Sequence, residues 1–144
     1  KIHQANEGCA CTMNSILKQF IKHLTVEENE VVLLDMEAGV EHFGRGVDNS
    51  VDLILMIVDP SFESLKLTKK IQQLGESIGK TVFFVLNKVN GQILPTMLES
   101  IDDQSKVLAV ISEDTEIARK GLLGNELMME IPEIHTLARK ILKQ

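Results

Sequence analysis

The sequence predicts an α/β fold: a mostly parallel sheet covered by helices. Four short runs, Val31–Leu34, Leu53–Val58, Thr81–Leu86 and Val107–Ile111, are apolar almost without interruption. Strands buried on both faces read this way, whereas a strand with one wet face alternates. Segments with helical spacing lie between these runs, and such alternation builds βαβ units. No internal repeat, low-complexity tract or linker interrupts the pattern, so residues 1–144 are expected to form one domain or the larger part of one.

Taken in order, Lys1 to Gly8 is polar and reads as a loop. From Thr12 to Leu24, Met13, Ile16, Leu17, Phe20, Ile21 and Leu24 recur every three or four residues and predict a helix with Lys18, Gln19 and Lys22 opposite. Thr25 to Glu30 is an acidic loop before the Val31–Leu34 strand, whose end carries Asp35 and, shortly after, Gly39. Val40 to Ser50, with Gly44-Arg45-Gly46, suits a loop or short helix. The Leu53–Val58 strand stops at Asp59-Pro60, because proline donates nothing to a ladder. Ser61 to Gly79 reads as a helix, Thr81 to Leu86 as a strand running into Asn87-Lys88, and Ile93 to Ile101 as a short helix with Pro95 in its first turn. After the Val107–Ile111 strand, Asp114 to Lys120 and Asn125 to Glu130 read as weak helical pieces, and Pro132 opens a last helix through Leu142.

A formal net charge of −6 argues against a general nucleic-acid binder, which needs a basic face. The apolar runs are too short to span a bilayer, and no charged-then-apolar leader opens the chain. Cys9 and Cys11 sit too close in sequence for an unstrained disulfide, so a reducing cytoplasm is the expected setting. A chain that opens on Lys1, within a polar stretch, is expected to be a fragment of a longer protein.

Chemistry is expected at the strand ends, since α/β proteins bind ligands beyond the carboxyl ends of their strands. Asp35 is placed to hold Mg²⁺ or its water, and Gly39 to let a backbone N–H approach a phosphate; the same residues also suit a helix N-cap and a turn. The Asn87 amide, both donor and acceptor, suits the edge of a base, and Asn87-Lys88 also suits a polar turn. Two thiols at Cys9 and Cys11 can face one ion but fill only half of a tetrahedral shell, which a two-fold-related chain would complete. Small buried cysteines beside a helix start are the alternative. No Gly-x-x-x-x-Gly-Lys-Ser/Thr occurs, so these residues lack the lysine that neutralises β- and γ-phosphate charge.

Two stretches together carry a resemblance. Asp35-Met36-Glu37-Ala38-Gly39-Val40-Glu41-His42-Phe43-Gly44-Arg45-Gly46, preceded by Gly8-Cys9-Ala10-Cys11, closely resembles the CooC family, accessory ATPases that mature nickel-containing carbon monoxide dehydrogenase. That family belongs to the MinD/ParA/nitrogenase iron protein group with a deviant Walker A motif. The resemblance covers nearly the whole chain and implies a three-layer P-loop NTPase fold whose N-terminal strand, Gly-Lys-Gly-Gly-x-Gly-Lys-Thr loop and switch I would precede Lys1. It implies that Asp35 helps hold Mg²⁺, that Gly39 senses the γ-phosphate, and that Asn87 of Asn87-Lys88 recognises adenine. Ser112 to Ile117, with Ser112 and Asp114, would flank the base. Cys9 and Cys11 would join their copies in a second subunit around one zinc or nickel ion.

The resemblance therefore implies a cytoplasmic, ATP- and Mg²⁺-dependent metallochaperone that acts as a homodimer on carbon monoxide dehydrogenase or a similar client, without nucleic acid or membrane. A partitioning or regulatory ATPase of the MinD/ParA kind, acting through partner proteins, is the competing reading. The cysteine pair favours the first. Pro132 to Gln144 is amphipathic like a membrane-targeting tail, but it reads better as the closing helix of the domain.

Overall fold

The structure, a computed structural model, describes residue 16 and residues 19–28, 30–36 and 51–143. The chain divides into two compact units, Lys1–Asp52 and Leu53–Gln144, each taken here by itself.

In the first unit, residues 19–23 are helical, within the helix expected from Thr12 to Leu24. The His23 ring nitrogen Nδ1 lies 2.8 Å from the Gln19 carbonyl, and Leu24 N–H closes the turn on Ile21 at 3.2 Å. Ile16 and Phe20, on the apolar side of the spacing, are exposed. Residues 31–36 overturn an expectation: they belong to no ladder, Val31 and Val32 are exposed, and Leu33 is 83% exposed. Apolar content favours burial, but a strand also needs a neighbour to pair its N–H and C=O groups. No strand in the described part of this unit supplies one.

The second unit follows the predicted alternation closely. Its sheet has three parallel strands in the order β1 (Ile54–Val58), β2 (Val82–Val89), β3 (Val107–Ser112). Helix α1 (Phe62–Ser77) starts where Ser61 Oγ accepts the Ser64 N–H at 3.2 Å, and it ends before Gly79 at φ +68°. Helix α2 (Leu94–Glu99) carries Pro95 in its first turn, and a 3₁₀ turn at Gln104–Lys106 leads into β3. Asp114 caps α3 (Thr115–Leu123), which ends on Gly124 at φ +66°. Helix α4 (Pro132–Ile141) closes the unit.

Two differences from the expected elements stand out. The weak helical piece at Asn125 to Glu130 is irregular chain, because the left-handed Gly124 turns the backbone out of the helix and nothing restarts it before Pro132. And β2 runs on through Asn87, Lys88 and Val89 by way of a register shift, with Lys88 at φ +54°.

Strand alternation sends the even-numbered residues of β2 one way and Val85 the other. Val82 meets the last turn of α1 at Gly75, while Val85 packs with Leu108 of β3 and Leu137 of α4. Helices therefore cover both faces, which is why Val82, Phe84, Val85 and Leu86 of this central strand are all buried. Buried Thr68 ties α1 to the end of α2: its hydroxyl lies 2.8 Å from both Leu65 O and Ser100 O and shares its proton between them.

Candidate functional site

Parallel strands deliver their carboxyl ends to one edge of the sheet. The β1–β2 register pairs Val58 with Leu86, so the next residues, Asp59 and Asn87, fall side by side. Asn87 Nδ2–H donates to Asp59 Oδ1 at 2.9 Å, and Lys88 Nζ donates to Asp59 Oδ2 at 2.6 Å. The backbone holds the carboxylate in place from below, where Asp59 N–H donates to Ser64 Oγ at 3.1 Å and Ser64 in turn belongs to the capped start of α1. Partial burial pushes the Asp59 carboxyl up. Hydrogen bonds from Lys88 and Asn87, together with the Lys88 charge, outweigh it and hold the group below its ordinary value of 3.8. The Lys88 and Asp59 side chains remain 60% and 41% exposed, so the ion pair orients more than it stabilises.

The end of β3 joins the same edge. Ser112 pairs with Val89, and Glu113 N–H donates to Val89 O at 2.9 Å, just past the Lys88 irregularity. Asp114 Oδ1 accepts from Glu116 N–H at 2.8 Å and from Ile117 N–H at 2.9 Å, so its first role is to cap α3. Asn87, Lys88, Ser112 and Asp114 thus follow one another along the carboxyl ends of β2 and β3. Asp59 is a residue the sequence reading passed over, since it treated Asp59-Pro60 only as a strand stop.

Of the other expected residues, Asp35 belongs to the first unit and the rest lie outside the described residues. Asp35 is exposed in the unpaired run of the first unit. Gly39, Cys9 and Cys11 lie outside the described residues, as does the rest of the Glu37 to Gly46 motif. Among the described residues no three acids, histidines or cysteines converge to hold a metal, and no helix is long and apolar enough to cross a membrane. Asn87 Oδ1 takes no hydrogen bond among the described residues, and an unengaged amide oxygen accepts from a donor such as an amino group.

No family model matches the chain. It is similar, however, to several curated proteins. An uncharacterized ATP-binding protein of Methanocaldococcus jannaschii is 46% identical over 143 residues, covering 99% of this chain and 57% of that protein. A second uncharacterized ATP-binding protein of the same organism is 33% identical over 132 residues, covering 90% of this chain and 51% of its own length. The carbon monoxide dehydrogenase accessory protein CooC of Rhodospirillum rubrum is 32% identical over 124 residues, covering 85% of this chain and 47% of that protein. The chain is thus similar to CooC and to proteins named as ATP-binding. It spans about half the length of the curated relatives it matches. Similarity to CooC extends over most of the chain, so the sequence resemblance does not rest on the two quoted stretches alone.

Proposed function

We propose that these residues are the C-terminal part of one P-loop ATPase domain of the CooC type, whose complete protein is an ATP-driven metallochaperone for a nickel enzyme such as carbon monoxide dehydrogenase. The observation that carries the reading is the similarity to the accessory protein CooC over 85% of the chain. Asn87 would accept the amino group of adenine, with Lys88, Ser112 and Asp114 around the base. Asp35 would hold Mg²⁺ or its water, and Gly39 would lie against the γ-phosphate. Bound ATP supplies the free energy of the cycle; the residues of this chain position its base and couple its presence to dimer formation. Zinc or nickel is the cargo, held by Cys9 and Cys11 of two subunits.

The cysteine site follows from ligand count. Two thiolates leave a tetrahedral ion half-coordinated, and an isologous dimer presents the same pair twice. Thiolates favour zinc, copper(I) or nickel over magnesium. Titration of zinc and of nickel into the purified protein with ATP, followed by sizing, is expected to give one ion per two chains and a dimer that strengthens with metal. Affinity should fall below about pH 7, because binding displaces thiol protons. One ion per chain, or undiminished binding after Cys9→Ser with Cys11→Ser, would remove the shared site.

A further inference from the structure

We infer that Asp59 is the specificity-determining residue of the base site: by accepting the Asn87 amide N–H it fixes that amide with Oδ1 outward, and so selects a 6-aminopurine over a 6-oxopurine. The inference rests on the assignment of Asn87 to the base made above.

An asparagine amide is ambidextrous by itself, since half a turn of its last torsion exchanges oxygen and nitrogen. Asp59 removes that freedom. A carboxylate has only acceptors, so the group 2.9 Å from its Oδ1 has to be the Asn87 N–H; the flipped amide would set oxygen against oxygen with no proton between them. Lys88 Nζ, 2.6 Å from the other carboxylate oxygen, keeps Asp59 charged and stops it from becoming a donor itself. Neither partner is free to drift. Asp59 is anchored through its own N–H to Ser64 Oγ, and Asn87 sits part-buried in the central strand, one residue past the Val58–Leu86 pair. The backbone at Lys88 takes φ +54°, uncommon for a non-glycine residue, where the β2–β3 register shifts between Leu86 and Val89.

The amide is then left with an acceptor, Oδ1, beside its second N–H donor. That order complements the N6–H donor and N7 acceptor along one edge of adenine. Guanine and hypoxanthine present two acceptors there, O6 and N7. Their O6 would face Asn87 Oδ1, and relieving that contact requires the amide to turn and break its bond to Asp59, leaving polar groups unpaired.

The test follows the Asn87 side-chain amide by nitrogen-15 NMR during titration with AMP and with IMP, whose bases differ at this edge in the 6-amino and 6-oxo groups. The wild-type chain is expected to bind AMP about tenfold or more tighter than IMP, from the worth of one correctly read base edge. Asp59→Asn keeps the shape but places an amide that donates or accepts, so Asn87 is free to turn and the preference should collapse toward equality. Asp59→Ala should do the same, and the backbone spectrum reports whether each variant keeps its fold. If Asn87 responds to AMP but the preference persists in both variants, or is missing from the wild type, the inference is overturned while the base site stands. If neither nucleotide shifts Asn87 in any variant, the base-site assignment itself falls and the inference with it.

Discussion

At the scale of single residues, the behaviour of this chain in acid depends on which groups share protons. Asp59 is held below 3.8 in the fold, against the raising effect of its burial, by Lys88 and Asn87. Its unfolded counterpart binds protons more readily, so the group contributes stability that is complete above the unfolded value and is lost as pH falls through the folded one. Thermal melts of the wild type should therefore drop more steeply below about pH 4 than melts of Asp59→Asn, which has no carboxylate to protonate there. The difference should be small and should shrink in salt, since the ion pair faces water. Parallel pH profiles of the two proteins would show that Asp59 carries no such linkage. Asn87 and Lys88 could be placed at a strand end from the sequence because they follow an apolar run, whereas Ser112 and Asp114 entered only through the family resemblance. Asp59 was not legible there, because its partners lie 28 and 29 positions away and only the β1–β2 register brings them together.

At the scale of elements, punctuation was legible and pairing was not. Ser61, Gly79, Pro95, Asp114, Gly124 and Pro132 mark helix starts and stops that local chemistry dictates whatever the rest of the chain does. Asn125 to Glu130 lacks such a start and does not form its helix, and residues 31–36 have the composition of a strand but no ladder. Gly75 shows how closely α1 is set on the sheet. A methyl group there would collide with Val82 Cγ2 and come within 3.0 Å of the Lys80 carbonyl oxygen. Gly75→Ala gains about 1 kcal/mol of helix propensity, but overpacking against a buried valine and a backbone oxygen costs roughly 1–3 kcal/mol. The Lys80 N–H already binds the Gly75 carbonyl at 2.9 Å, which leaves the helix end little room to retreat. We expect a lower urea midpoint with an unchanged slope. A higher midpoint would mean that the end of α1 backs away freely.

At the scale of the whole molecule, the α/β class and the parallel sheet were readable because apolar runs and helical spacing report on burial, which each segment needs for itself. The order of strands in the sheet was not readable, because that depends on which edges meet. In the Leu53–Gln144 unit the order turns out to be the order of synthesis: β1, then β2, then β3, each beside its predecessor. No strand has to be inserted between two already in place, so the assembly path needs no earlier pairing to be undone. Each docking step closes a loop between consecutive strands, and short closures carry the smaller entropy penalty and favour fast folding. The sheet can grow as the chain leaves the ribosome, with β1 waiting only for β2. Read backwards, the same order makes β2 the last strand to be released, for it is paired on both sides, whereas among the described residues β1 and β3 are each paired on one. Amide hydrogens of Phe84, Val85 and Leu86 should accordingly exchange with solvent most slowly in native-state exchange; faster exchange there than along β1 would show that the sheet opens from its centre.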